Sequence, residues 1–153
     1  ATLLIIVAGA TCFGRLLTLE SIPGRITETV LSAIQSPMVF LFAMNVLLLF
    51  VGMFMDIISA TMILGPVFLP MLQAFDISWM HFGLIMTVNL AIGYCTPPMG
   101  VSLYITGAMA NRNLIYVSKA VIPFIIIQMI VLGIITYMPD MVLWLPKFFG
   151  YLE

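Results

Sequence analysis

Charge is what this chain has least of. Only 7% of its 153 residues are Asp, Glu, Lys or Arg, against 63% hydrophobic, where soluble domains carry about 25% charged residues. That leaves too little polar surface to face water all round and excludes an ordinary soluble domain. The formal net charge is -1 and no basic run occurs, so nucleic acid is excluded as a partner. Cys12 and Cys95 lack the spacing of a metal or redox site and are expected to be buried small hydrophobes. The one histidine, His81, has no second histidine or cysteine at ligand spacing and is expected at an interface. No nucleophile–base pair, phosphate-cradling glycine loop or paired carboxylates appear, so the chain is expected not to be an enzyme. The apolar blocks are too long and too numerous to be read as a signal peptide. The sequence opens inside an apolar run and is expected to be a piece of a longer chain.

What is present is a nearly uncharged tract over residues 36–107, expected to lie in lipid. Two sites punctuate it: Gly52-Met-Phe-Met-Asp56, and Gly93-Tyr-Cys-Thr96-Pro97-Pro98-Met99-Gly100. Breaks at membrane depth leave unpaired backbone carbonyls, and these are tolerated only inside protein or beside water. Ion-coupled carriers use such carbonyls to hold a cation. Gly93, Thr96 and Met99 recur every three residues across the second break. Their carbonyls, with that of Gly52 and the Thr96 hydroxyl, are the expected ligands of Na+, Met99 acting through its backbone.

The rest falls into three segments. Residues 1–36 read as the end of a spanning helix, with Arg15 and Glu20 at an interface, then a turn at Ile22-Pro23-Gly24. A short helix follows over 25–35, lying on the membrane surface or packed on its own protein. Residues 37–110 hold the interrupted apolar tract. Its first part, 38–51, covers about 21 Å and is short of a roughly 30 Å hydrocarbon core. It fits either a re-entrant hairpin or one helix interrupted twice. Ser36 is a possible cap for it, and Asp76 or Ser78 for the helix that follows, near which Trp79 anchors. At the double proline helical hydrogen bonding must fail, giving two half-helices that share one span. Residues 111–153 form a terminal span and an aromatic interfacial tail, with lipid around them.

Asp56 is the only acid between Thr29 and Phe75. Its insertion cost of roughly 2.5–3.5 kcal/mol is met if it faces protein, water or a cation. It is a coupling candidate, with a structural partner as the alternative. Asn45, Ser59, Thr61, Asn89 and Thr106 are candidates for a polar substrate cavity or for bonds to neighbouring helices. A channel subunit and an assembly subunit are the other function classes that fit these features.

Taken together, Gly52-Met-Phe-Met-Asp56, Ile63-Leu-Gly-Pro66-Val-Phe-Leu-Pro70, His81-Phe-Gly83, Asn89-Leu-Ala-Ile-Gly93 and Thr96-Pro-Pro-Met-Gly100 resemble the C-terminal half of the large membrane subunit of tripartite ATP-independent periplasmic (TRAP) transporters. The likeness is closest to the sialic-acid type, with a C4-dicarboxylate permease as the alternative. The resemblance implies an all-α polytopic protein of the bacterial inner membrane with an elevator fold of two inverted repeats. This fragment would hold the second repeat, with its re-entrant hairpin and discontinuous helix. It further implies Na+-coupled uptake of an acidic solute, a small membrane subunit, a periplasmic solute-binding protein, and a missing N-terminal half. The family's second sodium site falls on Gly52, Gly93, Thr96 and Met99. The implied orientation places Arg112 and Lys119 in the cytoplasm.

Overall fold

A chain this apolar must pair its backbone groups within its own segments, because lipid offers no partners. The computed structural model, which describes residues 2–97 and 100–150, shows eight helices: α1 (Thr2–Leu19), α2 (Ile22–Ala33), α3 (Pro37–Phe54), α4 (Ile57–Ala74), α5 (Trp79–Tyr94), α6 (Val101–Ala110), α7 (Leu114–Tyr137) and α8 (Pro139–Phe148). Among the described residues, α3, α4 and α7 are long and apolar enough to cross a membrane.

Helix α3 has 18 residues and is about 27 Å long. It runs through Gly52 and ends only when the Met55 N–H bonds the Val51 carbonyl at 2.9 Å. The expected 14-residue segment was too short, because glycine costs a helix only about 1 kcal/mol and packing offsets it. The chain then reverses. Phe40 near the start of α3 stacks on Phe75 just after α4, ring centroids 4.5 Å apart, so α3 and α4 form an antiparallel hairpin whose tip is Met55-Asp56. That contact rules out one helix interrupted twice.

Helix α5 returns between the hairpin arms, parallel to α3. Phe82 meets Phe68 of α4 edge-on at 5.5 Å, and Phe40, Leu48, Ala60, Ile85 and Leu90 are wholly buried. This core centres on α3, α4 and α5, with Leu132 of α7 completing it. Pro66 and Pro70 lie inside α4 without ending it. On α7, Phe124, Ile126, Ile127 and Ile130 are exposed, as a lipid-facing helix requires.

Several local expectations are corrected. Pro23 and Gly24 do not form the turn; they sit in the first turn of α2, where a missing proline N–H costs nothing. The turn is at Glu20-Ser21, with Ser21 at φ 53°. Helix α2 turns Arg25, Glu28, Thr29 and Ser32 outward and packs on α1 and α4, the second of its two readings. Ser36 and Ser78 stand at the N-caps of α3 and α5 without a side-chain bond. Cys12 is exposed rather than buried.

Candidate functional site

The two interruptions meet. A methyl group on Gly93 would lie 2.7 Å from the Gly52 Cα and 2.8 Å from the Leu49 carbonyl oxygen, and one on Gly52 would lie 3.0 Å from the Leu90 carbonyl oxygen. Here α3 and α5 cross backbone against backbone, an approach only glycine permits. The crossing lies in the last turn of both helices, which end at Phe54 and Tyr94. Helix C-termini carry roughly half a negative charge and carbonyls without ladder partners. Both C-terminal ends lie close to this crossing.

Beyond Tyr94 the helix fails as the prolines require. The Cys95 N–H bonds the Ile92 carbonyl at 3.1 Å and the Thr96 N–H bonds the Gly93 carbonyl at 2.8 Å, which tightens the last turn. The Gly93 carbonyl thus keeps one lone pair. The Thr96 hydroxyl donates to the Ile92 carbonyl at 2.7 Å, leaving its own lone pairs to accept or coordinate. Gly100 stands before α6, and a methyl group there would lie 2.9 Å from the Thr96 carbonyl oxygen. Gly52, Gly93 and Thr96 carry oxygen donors, the hard class that Na+ prefers, so the donor chemistry present fits the ion. Met99 lies outside the described residues. Among the described residues no group of three His, Cys, Asp or Glu side chains converges on a metal position.

The remaining candidates part company. Asp56 caps α4, its carboxylate accepting the Ser59 N–H at 3.0 Å. The structural alternative for this residue is therefore met, at a tip that stays exposed. The Thr61 hydroxyl donates to the Ile57 carbonyl at 2.7 Å, and that of Thr106 to the Ser102 carbonyl at 2.9 Å.

Asn45 and Asn89 come together inside the protein. The Asn89 amide donates to the Asn45 backbone carbonyl at 3.0 Å and to its side-chain oxygen at 2.6 Å. Asn45 in turn donates to the Thr136 hydroxyl of α7 at 3.1 Å. Both asparagines thus bond across helices. Asn89 is wholly buried, and its side-chain oxygen has no partner among the described residues. His81 is also buried, at 4% exposure, with Nε2 2.8 Å from the Ile135 carbonyl. A carbonyl only accepts, so Nε2 carries the proton. The expected interfacial histidine is instead a second tie to α7, because the end of that helix packs over the start of α5. Thr136 went unnoticed in the sequence, where a lone threonine in an apolar span carries no spacing signal.

The described residues form an all-α bundle in which three helices are long and apolar enough to cross a membrane. The family model of the tripartite ATP-independent periplasmic transporter DctM component matches residues 1–141, and the chain belongs to that family, a multi-pass family of the bacterial inner membrane. It is similar to the isethionate TRAP transporter permease protein DctMQ of Oleidesulfovibrio alaskensis, with 39% identity over 98% of this chain and 23% of that protein. The C4-dicarboxylate TRAP transporter large permease protein DctM of Pseudomonas aeruginosa is 38% identical over 97% of this chain and 35% of its own length. The sialic acid TRAP transporter large permease protein SiaM of Vibrio cholerae is 33% identical over 99% and 36%. The chain thus spans about a quarter to a third of the length of these relatives.

Proposed function

We propose that this chain is an ion-binding part of a Na+-coupled uptake system for a small organic acid. The observation that carries this reading is the Gly52–Gly93 crossing at two helix C-termini with Thr96 beside it. Gly52, Gly93, Thr96 and Met99 hold the ion through neutral oxygens, so its charge stays uncompensated. Bound Na+ supplies the positive charge on which the membrane potential acts, about 2.3 kcal/mol per charge per 100 mV. The chain's own part is to keep two backbones close enough for their carbonyls to converge, and to hold the Asp56 tip beside them.

In this reading the hairpin of α3 and α4 is re-entrant. It moves with α5 and α6 as one body, by an elevator motion, against an inverted repeat in the rest of the subunit. A small membrane subunit supports that body and a periplasmic binding protein delivers the solute. The two relatives named for isethionate and for C4-dicarboxylates are more similar to this chain than the SiaM relative. That supports a short-chain acid, with C4-dicarboxylate in place of the sialic acid expected from sequence.

The test is uptake of labelled succinate by the complete transporter in proteoliposomes. Uptake should need an inward Na+ gradient, and Thr96→Val should raise the half-saturating Na+ concentration about tenfold, equivalent to about 1.4 kcal/mol, while Thr96→Ser keeps it. Uptake indifferent to Na+ would end the proposal.

A further inference from the structure

We infer that Arg15 on α1 binds the oxyanion group of the transported solute, in a cavity between α1 and the tip-side half of α4. This rests on the uptake function proposed above. Among the described residues, Arg15 has no ion pair, the Lys147–Asp140 contact being the one seen. A charge on an apolar helix is costly unless it faces protein or water.

The fold gives that charge a definite setting. Gly14 brings α1 against α4, a methyl group there falling 3.7 Å from Pro66 Cγ. Beside this contact lies a cavity of about 770 Å³, whose lining includes Thr11, Arg15 and Thr18 from α1 and Thr61, Met62 and Pro66 from α4. Its volume falls in the usual range for small-molecule sites. Most of the wall is carbon, with one permanent cation and three hydroxyls as its polar features.

Such a lining selects a small anion. A guanidinium presents two parallel N–H groups that match a carboxylate or sulfonate bidentately. The Thr18 hydroxyl now donates to the Gly14 carbonyl at 2.9 Å, and that of Thr61 to the Ile57 carbonyl. A hydroxyl rotor exchanges either bond for a charge-assisted one, roughly twice as strong.

Depth supports the same assignment. Thr61 follows the tip residue Asp56 by just over one helical turn, and Gly52 precedes it by about one. The cavity and the glycine crossing therefore flank one hairpin tip, on α4 and α3. An anion between α1 and α4 and Na+ beside α3 would then contact the same hairpin, which couples the two.

The experiment places a cysteine at Thr61 in the complete transporter lacking other cysteines, reconstituted in neutral phosphatidylcholine, and follows maleimide labelling. Isethionate, succinate and N-acetylneuraminate are the probes, used with Na+ present. The acid that the wild type takes up should slow labelling at least fivefold. Arg15→Gln should abolish that protection without altering the labelling rate in its absence, and Arg15→Lys should keep part of it at a higher acid concentration. Parallel uptake should fall at least tenfold in Arg15→Gln. Protection that persists in Arg15→Gln, or that appears with anionic phosphatidylglycerol vesicles and no acid, overturns the assignment. Should the wild type take up a probe and Arg15→Gln do so with unchanged half-saturation, the Arg15 site fails while the proposed function stands. If the wild type takes up none of the three under a Na+ gradient, both fall.

Discussion

Gly93 faces Gly52 so closely that the side-chain carbon of an alanine at 93 would come within 2.7 Å of the Gly52 Cα. That contact is with backbone, which has no rotamer to move aside, so α3 and α5 must separate. Overpacking of this kind costs about 1–3 kcal/mol. Gly93→Ala should therefore lower the thermal transition of the purified complex and weaken Na+ dependence together. Gly52→Ala, whose nearest contact is 3.0 Å to the Leu90 oxygen, should do both to a lesser degree. Thermal scans and Na+ titrations of the two variants check the order; equal effects would contradict the crossing geometry.

Asp56 separates its structural and coupling roles by substitution. As the N-cap of α4 it accepts the Ser59 N–H, a bond Asn also makes, whereas losing a cap costs about 0.5–2 kcal/mol. Asp56→Asn should keep the stability of the hairpin and Asp56→Ala should lose it. If the carboxylate charge serves coupling as well, Asp56→Asn should show normal thermal stability with impaired Na+-driven uptake. Normal uptake in Asp56→Asn would restrict the residue to capping.

The Asn89–Asn45–Thr136 chain ties three helices. Interhelical bonds in membranes are worth about 0.6 kcal/mol on average, rising to about 1.7. A double-mutant cycle with Asn45→Ala and Thr136→Val should give a coupling energy in that range, measured by unfolding in detergent. A value near zero would mean the bond adds nothing net to the fold.

The local grammar of this chain was legible residue by residue. Pro97 and Pro98 cannot donate, so a break there follows from covalent structure, and α5 and α6 are indeed separate helices. An interruption near Asp56 was visible as well, but not that the chain reverses there, and Gly52 proved to lie within α3. Asn45 and Asn89 stood out as polar residues in apolar helices, but their partner Thr136 did not. The sequence neighbours of Arg15 say nothing about Pro66 or Thr61, which line the same cavity.

By itself the sequence determined membrane residence, the break at the double proline and the family, since each follows from composition, backbone donors or an ordered set of motifs. Tertiary structure alone decided which breaks meet, which polar side chains pair, and what lies beside Arg15. The physical reason is that helices in lipid are apolar on every face. Periodicity then cannot tell an inward face from an outward one, and pairing is settled by close packing between residues such as Gly52 and Gly93, far apart along the chain.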